Sequence, residues 1–260
     1  MMNLLLFDVD GTLILTGGAG IRAFQRAFRE LFNMEAVTDG IRFHGRTDPE
    51  IVEDIFAARL SRSPTPEELQ AICSRYLAYL EEEVPHSPGF RIMPGLPDLL
   101  EVLARRADVR LGLATGNLEG AARIKLGRPD LNRYFPFGGF GSDAKDRTAL
   151  IHKAIERGMT LLGRSQQEIK VFVIGDTDLD ITCGRQAGAT TVAVATGGDS
   201  WEILLQASPD HLLKDLSRPA IVRNAPPRRD ISRTNPPPRP VRRGSTASAL
   251  ASHNCRGPYC

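Results

Sequence analysis

An apolar run that ends in two carboxylates and a glycine limits what this chain can fold into more than any other stretch. Residues 4–7 read Leu-Leu-Leu-Phe, and Asp8, Val9, Asp10 and Gly11 follow. A continuous apolar run is typical of a strand buried on both faces of a parallel sheet. Because Asp8 and Asp10 are two positions apart, their side chains point to the same side of an extended chain, where two carboxylates repel unless a cation lies between them. The stretch predicts a buried strand with a divalent cation at its carboxyl end.

Strands and helices alternate along most of the remaining chain. Apolar runs predict further strands at 109–114, 170–174 and 190–195, with a short one within 135–140. Helical spacing predicts helices at about 96–106, 118–126, 144–158, 180–187 and 200–206. This alternation predicts an α/β fold with a doubly wound parallel sheet. In such sheets ligands bind beyond the carboxyl ends of the strands.

Residues 17–88 interrupt the alternation with a helical insertion. After a glycine-rich break, apolar residues at helical spacing predict three helices, which begin near Ile21, Pro49 and Pro66. The third has a capping hydroxyl at Thr65, proline at its first position and acids in its first turn. We therefore predict a core domain of residues 1–16 plus 89–217 and an all-helical cap of residues 17–88.

The segment 218–260 differs in composition from the rest of the chain. It holds nine of the 33 basic residues, one of the 31 acidic residues, repeated prolines and few apolar residues, so residues 1–217 carry a net charge of −6. This composition predicts a disordered tail rich in proline and arginine. Because the tail lacks interleaved aromatic residues, we expect no specific nucleic-acid partner.

The cysteines and the hydropathy pattern indicate where the protein works. The four cysteines are scattered and show no C-x-x-C pair or zinc-like spacing with histidine, which favours a reducing cytoplasm over a disulfide framework. No basic segment precedes the first apolar run, and no apolar run is long enough to span a bilayer. We expect a soluble, cytoplasmic monomer or homodimer without a membrane partner.

Three motifs in order resemble those of the haloacid dehalogenase (HAD) superfamily of aspartyl-phosphate hydrolases. Asp8-Val-Asp-Gly-Thr-Leu resembles the first motif, Thr115-Gly-Asn the second and Gly175-Asp-Thr-Asp-Leu-Asp the fourth. Each segment alone also fits an ordinary turn at a strand end. Their occurrence in order at three predicted strand ends favours the functional interpretation. The resemblance implies a Rossmann-like core with a helical C1-type cap, similar to phosphoglycolate phosphatase-like members.

The resemblance also implies a role for each motif residue. Asp8 would attack phosphorus, and Asp10 would protonate the leaving alcohol and then deprotonate the hydrolytic water. The Thr115 hydroxyl and the backbone of Gly116 and Asn117 would bind oxygens of the phosphoryl group. A Mg²⁺ site would be formed by Asp8, Asp10, Asp176 and Asp180.

The lysine of the third motif has two candidates. Lys145 lies just ahead of a predicted helix and is favoured by this placement, although Lys-Asp-Arg replaces the common Lys-Pro. Lys125 is the alternative, because some phosphoglycolate phosphatase-like members carry Lys-Leu at its position, followed by a pair like Asp146-Arg147. Both lysines also fit a solvated helix surface, so the sequence leaves the choice open.

The function implied by the resemblance is Mg²⁺-dependent hydrolysis of a small phosphorylated metabolite, with a phosphoglycolate-like compound as one candidate. Arg46 lies in a cap loop and is the candidate to pair with a substrate carboxylate or phosphate; a surface arginine in a helix-capping loop is the alternative. A sugar-phosphate mutase has the same motifs and stays open. Asp10 and Asp176 argue against a metal-free 2-haloacid dehalogenase, and the helical insertion argues against a Mg²⁺-binding phospho-acceptor module that is not an enzyme.

Overall fold

A six-stranded parallel sheet forms the centre of the protein, whose computed structural model describes residues 1–217. The predicted tail, 218–260, lies outside the described residues. The strands of this sheet are β1 (Met2–Phe7), β4 (Val109–Thr115), β5 (Gly138–Phe140), β6 (Ile169–Gly175), β7 (Thr190–Val194) and β8 (His211–Leu213). Their order in the sheet is β5-β4-β1-β6-β7-β8. This sheet confirms the predicted α/β fold class.

Helices cover both faces of the sheet, which explains the unbroken apolar run of β1. They are α4 (Leu96–Ala104), α5 (Glu119–Gly127), α6 (Arg147–Leu162), α7 (Asp178–Gln186) and α8 (Trp201–Gln206), with short 3₁₀ turns at Asn132–Tyr134 and Gln166–Glu168. Leu5 and Phe7 of β1 pack in one apolar cluster with α4 and α5. Leu4 and Leu6 point the other way and pack in a second cluster with α6 and α7. Successive side chains of one strand therefore supply the cores of both layers.

Two helices on this sheet begin where capping interactions fix their first residues, and not where the hydrophobic spacing predicts. The Asp146 side chain accepts a hydrogen bond from the N–H of Ala149 at 2.7 Å, so α6 begins at Arg147 instead of near residue 144. The Thr177 side chain and Asp180 cap each other's backbone N–H groups, so α7 begins at Asp178, two residues earlier than predicted.

Residues 17–88 contain three helices that share an apolar cluster, to which Leu118 and Ala121 at the start of α5 also belong. The helices are α1 (Ala19–Phe32), α2 (Asp48–Leu60) and α3 (Pro66–His86). Thr65 and Glu68 form a capping box at the start of α3, where the sequence predicts the helix start. Aromatic rings of Phe24, Phe28, Phe56 and Tyr76 lie in the shared cluster. None of the helices in residues 1–217 combines the length and apolar character that a bilayer span requires.

A two-stranded antiparallel ribbon, which the sequence did not predict, joins the helical segment to the sheet domain. It consists of β2 (Ile14–Thr16) and β3 (Phe90–Ile92). The start of α2 also docks onto the loop after β4: the Asp48 N–H donates to the Gly116 carbonyl at 2.8 Å, and the Leu118 N–H donates to Asp48 Oδ2 at 2.8 Å. The helical segment therefore lies against the carboxyl edge of the sheet. The exact domain boundaries remain a prediction.

Candidate active site

The carboxyl ends of three neighbouring strands meet beneath the helical segment. Asp8 follows β1, Thr115 ends β4 and Asp176 follows β6. Because β4, β1 and β6 are adjacent and parallel, their carboxyl ends fall on the same edge of the sheet. A cavity of about 390 Å³ lies there and is lined by residues of the sheet domain and of the helical segment.

Three buried carboxylates at this edge form a cluster. Oxygens of Asp8, Asp176 and Asp180 all lie within 4.8 Å of one another. Thr12 Oγ1 donates to Asp176 Oδ1 at 2.9 Å, and the Gly198 N–H donates to Asp176 Oδ2 at 2.5 Å. These contacts fix the Asp176 side chain.

Gly11 lets the Asp176 carboxylate approach the first loop closely. Its φ is +87°, in the region that favours glycine, and a Cβ at this position would lie 2.3 Å from Asp176 Oδ2. The glycine that follows the two predicted acids is therefore required by both the backbone turn and the neighbouring carboxylate.

The proton affinities of these acids indicate that the cluster fits a cation. Burial raises the pKa of Asp8 to about 7, the charge of Arg147 opposes this rise, and the charges of Asp180 and Asp10 add to it. Burial also raises the pKa of Asp176 well above its usual value, helped by Asp8 and Asp180. Adjacent buried carboxylates remain ionised together only when a positive charge compensates them. Carboxylate oxygens are the donors that Mg²⁺ prefers, so the residues present fit this ion.

Arg147 is a site residue that the sequence did not predict. It begins α6 and is buried; its Nη2 lies 3.1 Å from Asp8 Oδ1 and 2.5 Å from Asp180 Oδ1, and its Nη1 donates to the Gly45 carbonyl at 3.3 Å. An arginine in the first turn of a helix opposes the helix dipole, so acids elsewhere must favour it. An arginine at the start of a predicted helix was therefore the feature of the sequence that could have indicated Arg147 as a site residue.

The two candidate lysines lie in different environments. Lys125 is buried, and its Nζ donates to Asp10 Oδ2 at 2.6 Å and to Asn117 Oδ1 at 2.5 Å. Burial lowers the pKa of Lys125, but the charge of Asp10 and further acids outweigh it, so the pKa lies above its usual value. Lys145 is exposed and pairs with Glu53 of α2. The structure therefore brings Lys125 to the cavity, whereas Lys145 does not line it.

Asn117 links the second motif to Asp10. Its Nδ2 donates to Asp10 Oδ2 at 2.8 Å and to Thr115 Oγ1 at 2.8 Å. Gly116 lies under the cap loop, where an added Cβ would be 2.3 Å from the Arg46 carbonyl oxygen. All three residues of the predicted second motif line the cavity.

Arg46 lines the cavity, but its charge is taken up by two acids of α2. Its Nη2 lies 2.8 Å from Asp54 Oδ2, and its Nη1 lies 3.4 Å from Glu50 Oε1.

Asp180, the second acid of the fourth motif, uses both of its carboxylate oxygens in contacts within the protein. Its Oδ2 accepts hydrogen bonds from the Thr177 N–H and Oγ1, and its Oδ1 accepts from the Arg147 guanidinium.

The comparison with known families decides what kind of protein has this site. Residues 5–194 match the family model described as Haloacid dehalogenase-like hydrolase. The chain belongs to this family. Its membership confirms the resemblance inferred from the motifs and the prediction that the protein is a hydrolase of the HAD type.

Individual proteins of similar sequence or structure agree with this assignment. "Probable phosphatase IndB" from Dickeya dadantii (strain 3937) is 28% identical over 221 residues, which cover 84% of this HAD chain and 91% of that protein. The phosphoglycolate phosphatase of Aquifex aeolicus (strain VF5) is 27% identical over 201 residues, with coverages of 75% and 86%. A hydrolase structure from Pseudomonas syringae superposes with a TM-score of 0.63 at 21% identity and covers 84% of this chain and 95% of its own, which shows a shared fold.

Proposed function

We propose that this HAD hydrolase is a Mg²⁺-dependent phosphatase that hydrolyses small phosphomonoesters through an aspartyl-phosphate on Asp8. The observation that carries the proposal is the placement of two acids with different surroundings at one strand end. Asp8 is buried against Asp176, Asp180 and Arg147, whereas the side chain of Asp10 is 38% exposed and is held by Lys125. Environments that differ in this way suit one carboxylate to nucleophilic attack and the other to proton transfer. The phosphatase names of two similar proteins support it.

Asp8 and Asp176 would hold Mg²⁺ together with the carbonyl of Asp10. When bound, the ion would supply positive charge that offsets the charges of the phosphoryl group and of the acid cluster. Asp180 would act on this site indirectly, because its oxygens are already used by Thr177 and Arg147.

The first half of the reaction transfers the phosphoryl group to Asp8. A carboxylate oxygen of Asp8 forms a bond to phosphorus while the bond from phosphorus to the leaving oxygen breaks. Asp10 gives its proton to that oxygen, so the leaving group departs as a neutral alcohol. The Thr115 hydroxyl and the N–H groups that follow it bind the phosphoryl oxygens as the charge shifts.

The second half regenerates the enzyme. Asp10, now a carboxylate, takes a proton from a water molecule whose oxygen bonds to phosphorus, and the bond between phosphorus and Asp8 breaks. Inorganic phosphate leaves, Asp8 is again a carboxylate and Asp10 is again protonated. Asp10 therefore moves one proton in each direction per cycle, and a fixed orientation of its carboxyl group is a requirement of both halves.

We assign the two buried cations to different acids. Lys125 is the lysine of the third motif, because its hydrogen bonds orient Asp10 and Asn117. Arg147 holds the nucleophile Asp8 against Asp180. Lys145, the position that the sequence favoured, pairs with Glu53 at the surface and has no part in this proposal.

A panel of phosphomonoesters tests the proposal directly. The full chain is assayed for phosphate release from phosphoglycolate, sugar phosphates, nucleotides and pyrophosphate, with Mg²⁺ and with EDTA. We expect hydrolysis of at least one compound that EDTA abolishes and Asp8→Asn lowers by at least about 10³-fold. Asp178→Asn is the matched control, because this carboxylate at the first residue of α7 lies near the site and is 41% exposed; the activity of this variant should equal that of the wild type.

Two results would contradict the proposal. Hydrolysis that persists in Asp8→Asn would exclude the covalent route through Asp8. Conversion of a sugar phosphate into an isomer without release of phosphate would identify a mutase instead of a phosphatase.

A further inference from the structure

The N-terminus of α1 opens into the active-site cavity. Gly17, Gly18, Gly20 and Ile21 all line that cavity. The residue before the helix, Gly18, has a φ of 82°; no side chain caps the helix, and its first turn contains no acid. The first backbone bond of α1 runs from the Arg22 N–H to the Gly18 carbonyl at 3.0 Å. Within residues 1–217, the N–H groups of the first turn before Arg22 have no hydrogen-bond partner, and they point along the positive end of the helix dipole.

A buried hydroxyl points to the same place. Tyr76 of α3 is 1% exposed, and its ring stacks on Phe24 with centroids 3.9 Å apart and an interplanar angle of 9°. Tyr76 lines the cavity, and its hydroxyl has no hydrogen-bond partner among the described residues. A Cβ added at Gly20 would lie 3.6 Å from this hydroxyl and 3.9 Å from Lys125 Nζ. The hydroxyl faces the cavity, where a ligand that accepts its hydrogen bond would replace water.

A hydroxyl donor and two cations lie beside the acids on this side of the cavity. Burial raises the pKa of Tyr76 well above its usual value, and the charges of Asp48 and Asp10 add to the rise, so the hydroxyl remains a donor. The Lys125 ammonium interacts with both acids and offsets part of their negative charge. Arg91 of β3 also lines the cavity, is exposed and makes no ion pair with any residue in the described part of the chain. Its charge is therefore available to attract an anion toward the open end of the cavity.

We propose that the N-terminus of α1 and the Tyr76 hydroxyl form a subsite for a second anionic group of the substrate, a carboxylate or a further phosphate on the leaving group. The proposal rests on the proposed phosphatase function and names the class of leaving group that it accepts. The cavity, at about 390 Å³, is in the size range of small-molecule sites and has room for both groups. Arg46, the sequence-based candidate for this contact, is already paired with Asp54 and Glu50.

Substituting the hydroxyl alone tests the subsite. Tyr76→Phe keeps the ring that stacks on Phe24 and removes one donor. We expect the ratio of kcat/KM for 2-phosphoglycolate to kcat/KM for ethyl phosphate to fall about 10- to 100-fold, mainly through KM, which is the range for a hydrogen bond to a charged group. Tyr79→Phe is the matched control on the same helix, because the Tyr79 hydroxyl bonds to Glu30 and does not line the cavity. In this control variant, kcat/KM for both substrates should equal that of the wild type.

A second variant fills the subsite without removing a donor. Gly20→Ala places a methyl group in ordinary contact with the Tyr76 hydroxyl and Lys125 Nζ, at a helical position where alanine is favoured over glycine. Gly20→Ala should lower the ratio of kcat/KM for 2-phosphoglycolate to kcat/KM for ethyl phosphate, and its melting temperature should equal or exceed that of the wild type. Pyrophosphate, assayed in parallel, distinguishes a phosphate from a carboxylate as the preferred second anion.

The outcomes separate this proposal from the phosphatase assignment. Equal losses on 2-phosphoglycolate and ethyl phosphate in both variants, or no loss on either, would overturn the subsite while leaving the phosphatase function in place. If the wild type hydrolyses none of the compounds, the phosphatase assignment fails, and calorimetric binding of pyrophosphate with Mg²⁺ decides the subsite. Binding at least tenfold weaker in Tyr76→Phe would support it, and equal binding would overturn it.

Discussion

Replacing Lys125 by methionine tests which lysine serves the catalytic acid. The change keeps a long apolar side chain and removes an ammonium that is 6% exposed and lies 2.6 Å from Asp10 Oδ2. At that distance, Coulomb's law with an effective dielectric constant of about 20 gives about 6 kcal/mol of attraction, most of which is offset by the cost of desolvating the ammonium. Because Asp10 is 38% exposed, water replaces part of the lost contact. We therefore expect unfolding free energy to fall by about 1–3 kcal/mol, less than the 3–5 typical of a fully buried pair.

The effect of Lys125→Met on turnover should exceed its effect on stability. Without the ammonium, neither Asp10 nor Asn117 is held for proton transfer, and the loss of one fixed electrostatic group costs about 10²–10³-fold in kcat. Lys145→Met is the matched control: its pair with Glu53 is 53% and 35% exposed, so we expect a change below about 1 kcal/mol. The measurements are phosphate release under saturating substrate and urea unfolding. Equal kcat losses in the two variants, or a Lys125→Met rate close to the wild type, would refute this reasoning.

Two further predictions concern the acids. Asp10→Ala should lower kcat by about 10²–10⁴-fold, the usual contribution of a general acid and base, while the chain still folds cooperatively with a lower melting temperature, because the buried Lys125 ammonium loses its charged partner; unchanged turnover would mean that Asp10 transfers no proton. The pKa of Asp8 is raised from 3.8 to about 7, and that of Asp176 is raised as well. Between these pH values the metal-free folded protein therefore binds protons that the unfolded chain has released. The stability that this proton binding contributes is lost as the pH rises through about 7. Mg²⁺ should therefore raise the melting temperature more at pH 8 than at pH 5 in thermal denaturation with and without EDTA, and an equal rise at both would contradict the proposed ligands.

Local patterns in the sequence were enough to predict the sheet and the first acids of the site. The run before Asp8 is buried on both faces because helices cover both sides of β1, which is what an unbroken apolar run indicates. The capping residues at Thr65 mark the start of α3 because they act within one turn of chain. The carboxyl ends of adjacent parallel strands lie together in any such sheet, so Asp8 and Asp176 were expected to meet.

Contacts between distant elements are what the sequence could not determine. The β2–β3 ribbon was missed because each strand has three residues and its partner lies beyond the whole helical segment. In the sequence, a lysine within a predicted helix (Lys125) and one just ahead of another (Lys145) are equally suitable, and only the tertiary structure brings Lys125 to Asp10. Tyr76 has the spacing of an ordinary core residue of α3. Its hydroxyl meets the uncapped end of α1 only because the two helices pack against each other, and side-chain spacing within one helix carries no information about the atoms of its neighbour.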